Sequence, residues 1–200
     1  FLTEDKQLYV ADNAAGEVVL LNEKGQVTRR YGRPSTVTFG ADATYRPSKL
    51  VVNAAGTIYV VSEGSYDGMI QLDSQGEFLG YFGYNNNPLT AWDYIAEYFF
   101  TDEMKAQLTN RVPFSFKNAA IDSKGMIYTV TQAAEGNALK KHDVAGHNLL
   151  HNQMVDEPDF VDVCVGPGQR IYTVTGTGLL FEYDANGEVL FTFGGRAIAE

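Results

Sequence analysis

Between residues 8 and 195 the chain alternates short apolar strands with tight polar turns. One phrase recurs four times: "LYVADNAAGEVVLLNEKGQVTRRYG" (8–32), "IYVVSEGSYDGMIQLDSQGEFLGYFG" (58–83), "IYTVTQAAEGNALKKHDVAGHNLLHNQ" (127–153) and "IYTVTGTGLLFEYDANGEVLFTFGG" (171–195). Apolar side chains fall on every second position, as in Tyr59 and Val61, then Ile70 and Leu72, then Phe78, which is the period of a half-buried strand. The turns "NEKG", "DSQG", "DVAG" and "DANG" begin with Asn or Asp and end with Gly. They predict a type I turn followed by a left-handed residue, closing a three-residue hairpin loop.

A further strand with its own turn precedes three copies: "SKLVVNAAG" (48–56), "NAAIDSKG" (118–125) and "VDVCVGPGQ" (161–169). The first copy keeps only a remnant, "FLTEDKQ". Each unit is therefore four strands in about 40 residues, the period of a β-propeller blade, which cannot bury its faces alone. The tyrosines that mark the units, Tyr9, Tyr59, Tyr128 and Tyr172, are 50, 69 and 44 residues apart. Insertions between blades explain the unevenness. The blades are placed at about 1–32, 45–83, 112–153 and 159–195, with a polar loop at 33–44 and a longer insertion at 85–111.

The insertion "NNNPLTAWDYIAEYFFTDEMKAQLTNR" breaks the strand pattern. Its Thr and Asp starts, with acidic residues in the first turns, predict two short helices at roughly 90–99 and 102–109. Trp92, Tyr94, Tyr98 and Phe100 give it more aromatic surface than a two-turn helix needs for docking, so it is read as a helical hairpin on the propeller or as a partner-binding surface.

The strands "YVAD…VVLLNEKGQVTRRYG" and "RPSKLVVNAAGTIYVVSE…MIQLDSQGEFLGYFG" resemble NHL repeats, with Pro-x-x-apolar, then Asp/Asn-x-x-Gly-x-apolar-Tyr-Val-x-Asp, then a Gly turn. The resemblance covers about four-fifths of the chain. It implies an all-β propeller, with about four blades present of the six usual for the family. Asp12 keeps the acid usual after the second strand, while Ser62, Thr131 and Thr175 replace it. Because this repeat class hosts lactonases, lyases, RNA-binding modules and interaction platforms, it specifies fold far better than function. Blades left bare at either end invite self-association through their edges.

Charge narrows the partners. A net charge of −10 repels nucleic-acid phosphate and anionic lipid, and no basic run exceeds a pair. No stretch reaches the ~20 apolar residues of a membrane helix. The single cysteine, Cys164, lies in "FVDVCV", which excludes an intrachain disulfide and reads as a core position. The resemblance and the acidic, cysteine-poor composition imply a bacterial protein working outside the cytoplasm, secreted or surface-anchored.

The innermost strand of a blade lines the propeller channel, so polar residues there are the natural candidates for a ligand. Counting back from the turn places Lys49, Asn118 and Asp162 at one equivalent position in otherwise apolar strands. Arg46, Ser115 and Asp159 precede them, and the ends of the second strands add Asp12, Glu63 and Gln132 to the same mouth. This mixed-charge funnel suits a polar small molecule such as a carbohydrate, or simply water. His142, His147 and His151 cluster in sequence, yet pairing Asp143 with His147 sends His142 and His151 to opposite faces, against a zinc site.

The lactonases that resemble these repeats bind a divalent cation such as calcium through Glu, Asn and Asp of inner strands. Asn118 and Asp162 match that pattern, whereas Lys49 stands where another oxygen ligand is wanted. The lyases of the class require inner-strand histidines, which are missing here. No G-x-S-x-G elbow or phosphate-binding glycine loop appears. The expectation is a non-catalytic binding or interaction module with no cofactor, binding a protein or small polar ligand. The alternatives are a metal-dependent, lactonase-like hydrolase and a structural segment of a larger surface protein.

Overall fold

A computed structural model describes residues 1–83, 115–131, 138–150 and 159–195. The chain forms four antiparallel sheets, each a run of sequential strands. Blade I holds β1 (Leu8–Asp12), β2 (Glu17–Leu21) and β3 (Val27–Tyr31). Blade II holds β4 (Pro47–Val52), β5 (Ile58–Ser62), β6 (Met69–Leu72) and β7 (Phe78–Phe82). Blade III holds β8 (Phe116–Ile121), β9 (Ile127–Thr131) and β10 (Leu139–His142). Blade IV holds β11 (Phe160–Val165), β12 (Ile171–Thr175), β13 (Leu179–Tyr183) and β14 (Val189–Gly194). The architecture is all-β, a partial β-propeller.

Among the described residues two blades show fewer strands than the four expected. Blade I keeps a stub of its first strand, where Leu2 bridges Leu8. In blade III His142 bridges Asn148, the pairing expected from the turn, before the chain leaves the described residues. The expected helical insertion, with Trp92, Tyr94, Tyr98 and Phe100, lies outside the described residues, as do Gln132 and His151.

The turns follow the Asx-Gly pattern closely. At Asn22, Asn53, Asp73, Asp122, Asp143 and Asp184, one side-chain oxygen accepts the amides two and four residues on, at 2.8–3.0 Å. Each such oxygen satisfies two donors that the tight turn would otherwise leave unpaired. Glycine then closes the turn in the left-handed region, as at Gly76 (φ +90) and Gly146 (φ +88). These two also lie against the preceding blade, since a Cβ would come within 2.8 Å of the Tyr31 ring and 2.9 Å of the Gly83 nitrogen.

Three apolar layers join the blades. Tyr9, Leu20 and Tyr31 of blade I pack on Leu50, Ile58 and Ile70 of blade II. Tyr59, Met69 and Phe82 of blade II meet Phe116 and Ile127 of blade III. Tyr128 and Leu139 of blade III meet Phe160, Ile171 and Phe181 of blade IV. Contacts between blades run mainly through the first strands, with β8 against both β4 and β11, so these strands form the inner wall.

The loop at 33–44 is more ordered than a polar linker. A single 3-10 turn, Val37–Phe39, buries the Phe39 ring against Tyr45, Phe78 and Tyr81. Arg33 stacks over that ring at 4.9 Å and donates to the carbonyls of Gly40 and Ala41.

Candidate functional site

The inner strands share a feature that positions their polar residues. Each of β4, β8 and β11 carries a β-bulge, and Lys49, Asn118 and Asp162 each stand just past it, opposite Val61, Val130 and Val174 of the second strand. Counting from the turn thus aligns the three correctly. A bulge frees the neighbouring amide from the ladder. The Asn118 oxygen accepts the Ala119 amide at 2.8 Å, and the Asp162 carboxylate accepts that of Val163 at 2.7 Å. Asparagine and aspartate therefore have a local reason to be here, which lysine at 49 lacks.

The remaining atoms reach across the blade boundary. The Asn118 amide donates to the Asp162 carboxylate, tying blade III to blade IV at the inner wall. Asn118 is buried, whereas Asp162 and Lys49 remain exposed. One carboxylate oxygen accepts both of these bonds, so Asp162 has acceptor capacity left for a ligand or water.

Arg46 and Glu63 come together at the mouth with 3.5 Å between charged atoms. The Arg46 guanidinium also donates to the Asn13 side chain of blade I, whose amide returns a bond to the Arg46 carbonyl. Asp12 is occupied locally, capping the Ala15 amide at 2.9 Å. Asp159 is exposed, its carbonyl accepting from the Gly176 amide. The arrangement is a polar rim over blades I and II and an amide–carboxylate pair between blades III and IV.

A hollow also lies at the opposite end of the strands, and the sequence did not point to it. A half-open cavity of about 1390 Å³ spans blades I to III, reached by Asn53, Gln75, Asp122 and Lys124 from the turns and by Arg29. Tyr9 and Tyr59 also line it. Burial, with Tyr31 beside it, pushes the Tyr9 hydroxyl up to about 12, and burial raises Tyr59 as well, so both stay protonated donors at neutral pH. The clue available in sequence was the stacking of the first turns of successive blades at one end.

Histidine and cysteine occupy other places. His142 is fully buried between blades II and III, where its Nδ1 donates to the Gly146 carbonyl (3.1 Å) and its Nε2 accepts from Thr129 (2.8 Å). Burial lowers its pKa to about 4, with Lys140 adding to the shift against Gly146 and Asp143. His147 is exposed beside Asp143. Among the described residues no group of three His, Cys, Asp or Glu is placed to hold a metal ion.

Cys164 corrects the core reading. It is exposed, because alternation along β11 turns it away from the layer shared with blade III. Its equivalents one blade back each, Ala120 and Val51, face the next blade.

Comparison with known proteins defines the class as propeller-like. No family model matches the chain, and no curated protein sequence does either. Among solved structures, a virginiamycin B lyase from Staphylococcus aureus superposes with a TM-score of 0.60 at 12% identity, covering 96% of this chain and 53% of that one. A protein from Lactobacillus plantarum gives a TM-score of 0.60 at 18% identity, with the same 96% and 53% coverage. A streptogramin B lyase gives 0.51 at 16%, covering 92% of this chain and 52% of that one. The chain thus spans about half the length of these neighbours. At such identities the likeness is one of fold.

Proposed function

We propose that this propeller of NHL type is a non-catalytic binding module working outside the cytoplasm, which receives a small polar ligand such as a carbohydrate, or a polar protein loop, at the channel mouth. The observation that carries the reading is the Asn118–Asp162 pair: a buried amide and an exposed carboxylate, joined across two blades on the inner wall. Arg46 and Glu63 form the second polar group, and Lys49 supplies a cation at the third equivalent position. Mixed donors, acceptors and both charge signs suit hydroxyl-rich ligands, which need several directed hydrogen bonds. The aromatic residues Trp92, Tyr94, Tyr98 and Phe100 extend the same reading to a protein partner.

A thermal-shift screen of sugars, sugar acids and lactones tests it. A hit must stabilise the protein and lose its effect in Asp162→Ala; if no polar ligand shifts the unfolding at millimolar concentration, the reading fails. The enzymatic reading, a metal-dependent hydrolase resembling the lactonases, draws on the same two side chains as oxygen ligands. Stabilisation by calcium that vanishes in Asp162→Ala would favour it over the binding module.

A further inference from the structure

Hydrogen-bond donors and acceptors are divided unequally in the hollow at the turn end. The hollow runs over the junctions I–II and II–III, both made inside the chain, and its polar lining comes largely from the turns that open there. In blades II and III the side-chain carbonyl and carboxylate oxygens of that lining are already engaged. The Asn53 oxygen accepts the Ala55 and Thr57 amides. One Asp122 oxygen accepts the amides of Lys124 and Met126, and the other accepts from the Tyr128 hydroxyl and the Gln169 amide. The Gln75 oxygen accepts from Arg29 at 2.9 Å.

Donors remain. The Tyr59 hydroxyl accepts from Asn53 at 3.4 Å, which leaves its own proton to give. Lys124 uses one of its three donors on Gln169, at 3.2 Å. Arg29 lies over the Tyr31 ring and uses its Nη1 on the Ser74 carbonyl and on Gln75, so the guanidinium is held in place with its Nε and Nη2 left over. Both cations are exposed. Gln75 and Lys124 stand between the Asx and Gly residues that close their turns, where the backbone makes no demand on the side chain.

Two cations and two neutral donors, without matching acceptors, complement a ligand that is rich in acceptors and carries oxyanions. Glu4 and Asp5 line the hollow at its blade I end, which directs such groups over blades II and III. At about 1390 Å³ the hollow exceeds an ordinary small-molecule pocket of ~300–1,000 Å³, so it suits an extended ligand of several units. We propose that the turn end of blades I to III is a second binding site, which takes an acidic saccharide with its carboxylates on Arg29 and Lys124 and its hydroxyls on Gln75 and Tyr59. It lies at the other end of the strands from the channel mouth and does not rest on the reading of that mouth. A carboxylated saccharide carries less charge per length than a nucleic acid, so the net charge of −10 opposes it less.

Calorimetric titration of trigalacturonate into the intact 200-residue chain tests this, with maltotriose as the neutral match and inorganic phosphate as the bare oxyanion. The expected Kd for trigalacturonate is below about 1 mM, with maltotriose and phosphate roughly 10-fold weaker. Lys124→Gln and Arg29→Gln should each weaken trigalacturonate by on the order of 10-fold, while Asp162→Ala at the channel mouth leaves it unchanged. Asp122 holds the turn through the backbone amide of residue 124, so Lys124→Gln should keep the parent's Tm.

No binding at about 5 mM, maltotriose binding as tightly as trigalacturonate, or phosphate binding where the acidic trisaccharide does not, overturns the proposal. Affinity unmoved by both cation substitutions overturns it equally. A loss in Asp162→Ala that neither cation variant shows places the acid at the channel mouth instead, and so separates this proposal from the reading of that site.

Discussion

Aspartate does two different jobs at the two ends of a blade. At the turn end, Asp73, Asp143 and Asp184, with Asn22 for the first blade, hold identical geometry, each carboxylate or amide oxygen accepting two turn amides. Those amides hold the Asp143 and Asp184 carboxyls below the usual carboxylate range. At the bulge of the inner strand the equivalent residues are Lys49, Asn118 and Asp162, three different chemistries at one backbone position. Backbone demand makes the turns alike. Where that demand is weaker, the side chains are free to diverge toward a ligand.

This contrast separates scaffold from site, and substitutions should divide along it. The largest effect belongs to the layers between blades: Ile70→Ala, at a fully buried position, should cost about 2–5 kcal/mol in urea unfolding. Next comes His142, whose folded pKa of about 4 lies below its ordinary value of 6.5. The unfolded chain takes up the proton first, so stability is full above pH 6.5 and is lost as pH falls toward 4. The loss is on the order of 3 kcal/mol, and a His142→Phe variant should show a flatter profile over that window.

Turn substitutions rank third. Asp184→Ala removes two amide bonds and should lower stability, read as a fall in Tm of a few degrees. Lys6 offers the reverse test. It holds φ +60 in the first turn of blade I, where blades II and III have Gly56 and Gly125, both at φ +80. Lys6→Gly should therefore stabilise by about 1 kcal/mol. Gln169, at φ +59 in blade IV, should gain less from the same change, because its side chain bonds to Asp122 and Lys124 of blade III.

Much of the scaffold was readable from residues alone. Period-two alternation and Asx-Gly turns are local signals, so strands, turns, the His142–Asn148 pairing and the alignment of Lys49, Asn118 and Asp162 all follow from counting. Exposure is not local. "FVDVCV" and "KLVVNA" read alike, and alternation puts Cys164 and Val51 on the same side of their blades. Val51 is buried because blade III packs over it, a contact made by residues far away in sequence, whereas Cys164 is exposed. Phe39 in its loop and the cavity at the turn end were hidden for the same reason, since both depend on elements far apart in sequence meeting in space.

The central claim is that the inner-wall pair, and not the repeated turns, makes the binding site at the channel mouth. Calorimetric titration of one ligand, taken from the thermal-shift screen, into the parent protein, Asp162→Ala and Asp184→Ala tests it most directly. The account predicts that Asp162→Ala keeps a Tm within a few degrees of the parent but loses binding, while Asp184→Ala has a lower Tm and undiminished affinity. Equal affinity in all three proteins, or a loss confined to Asp184→Ala, would contradict it.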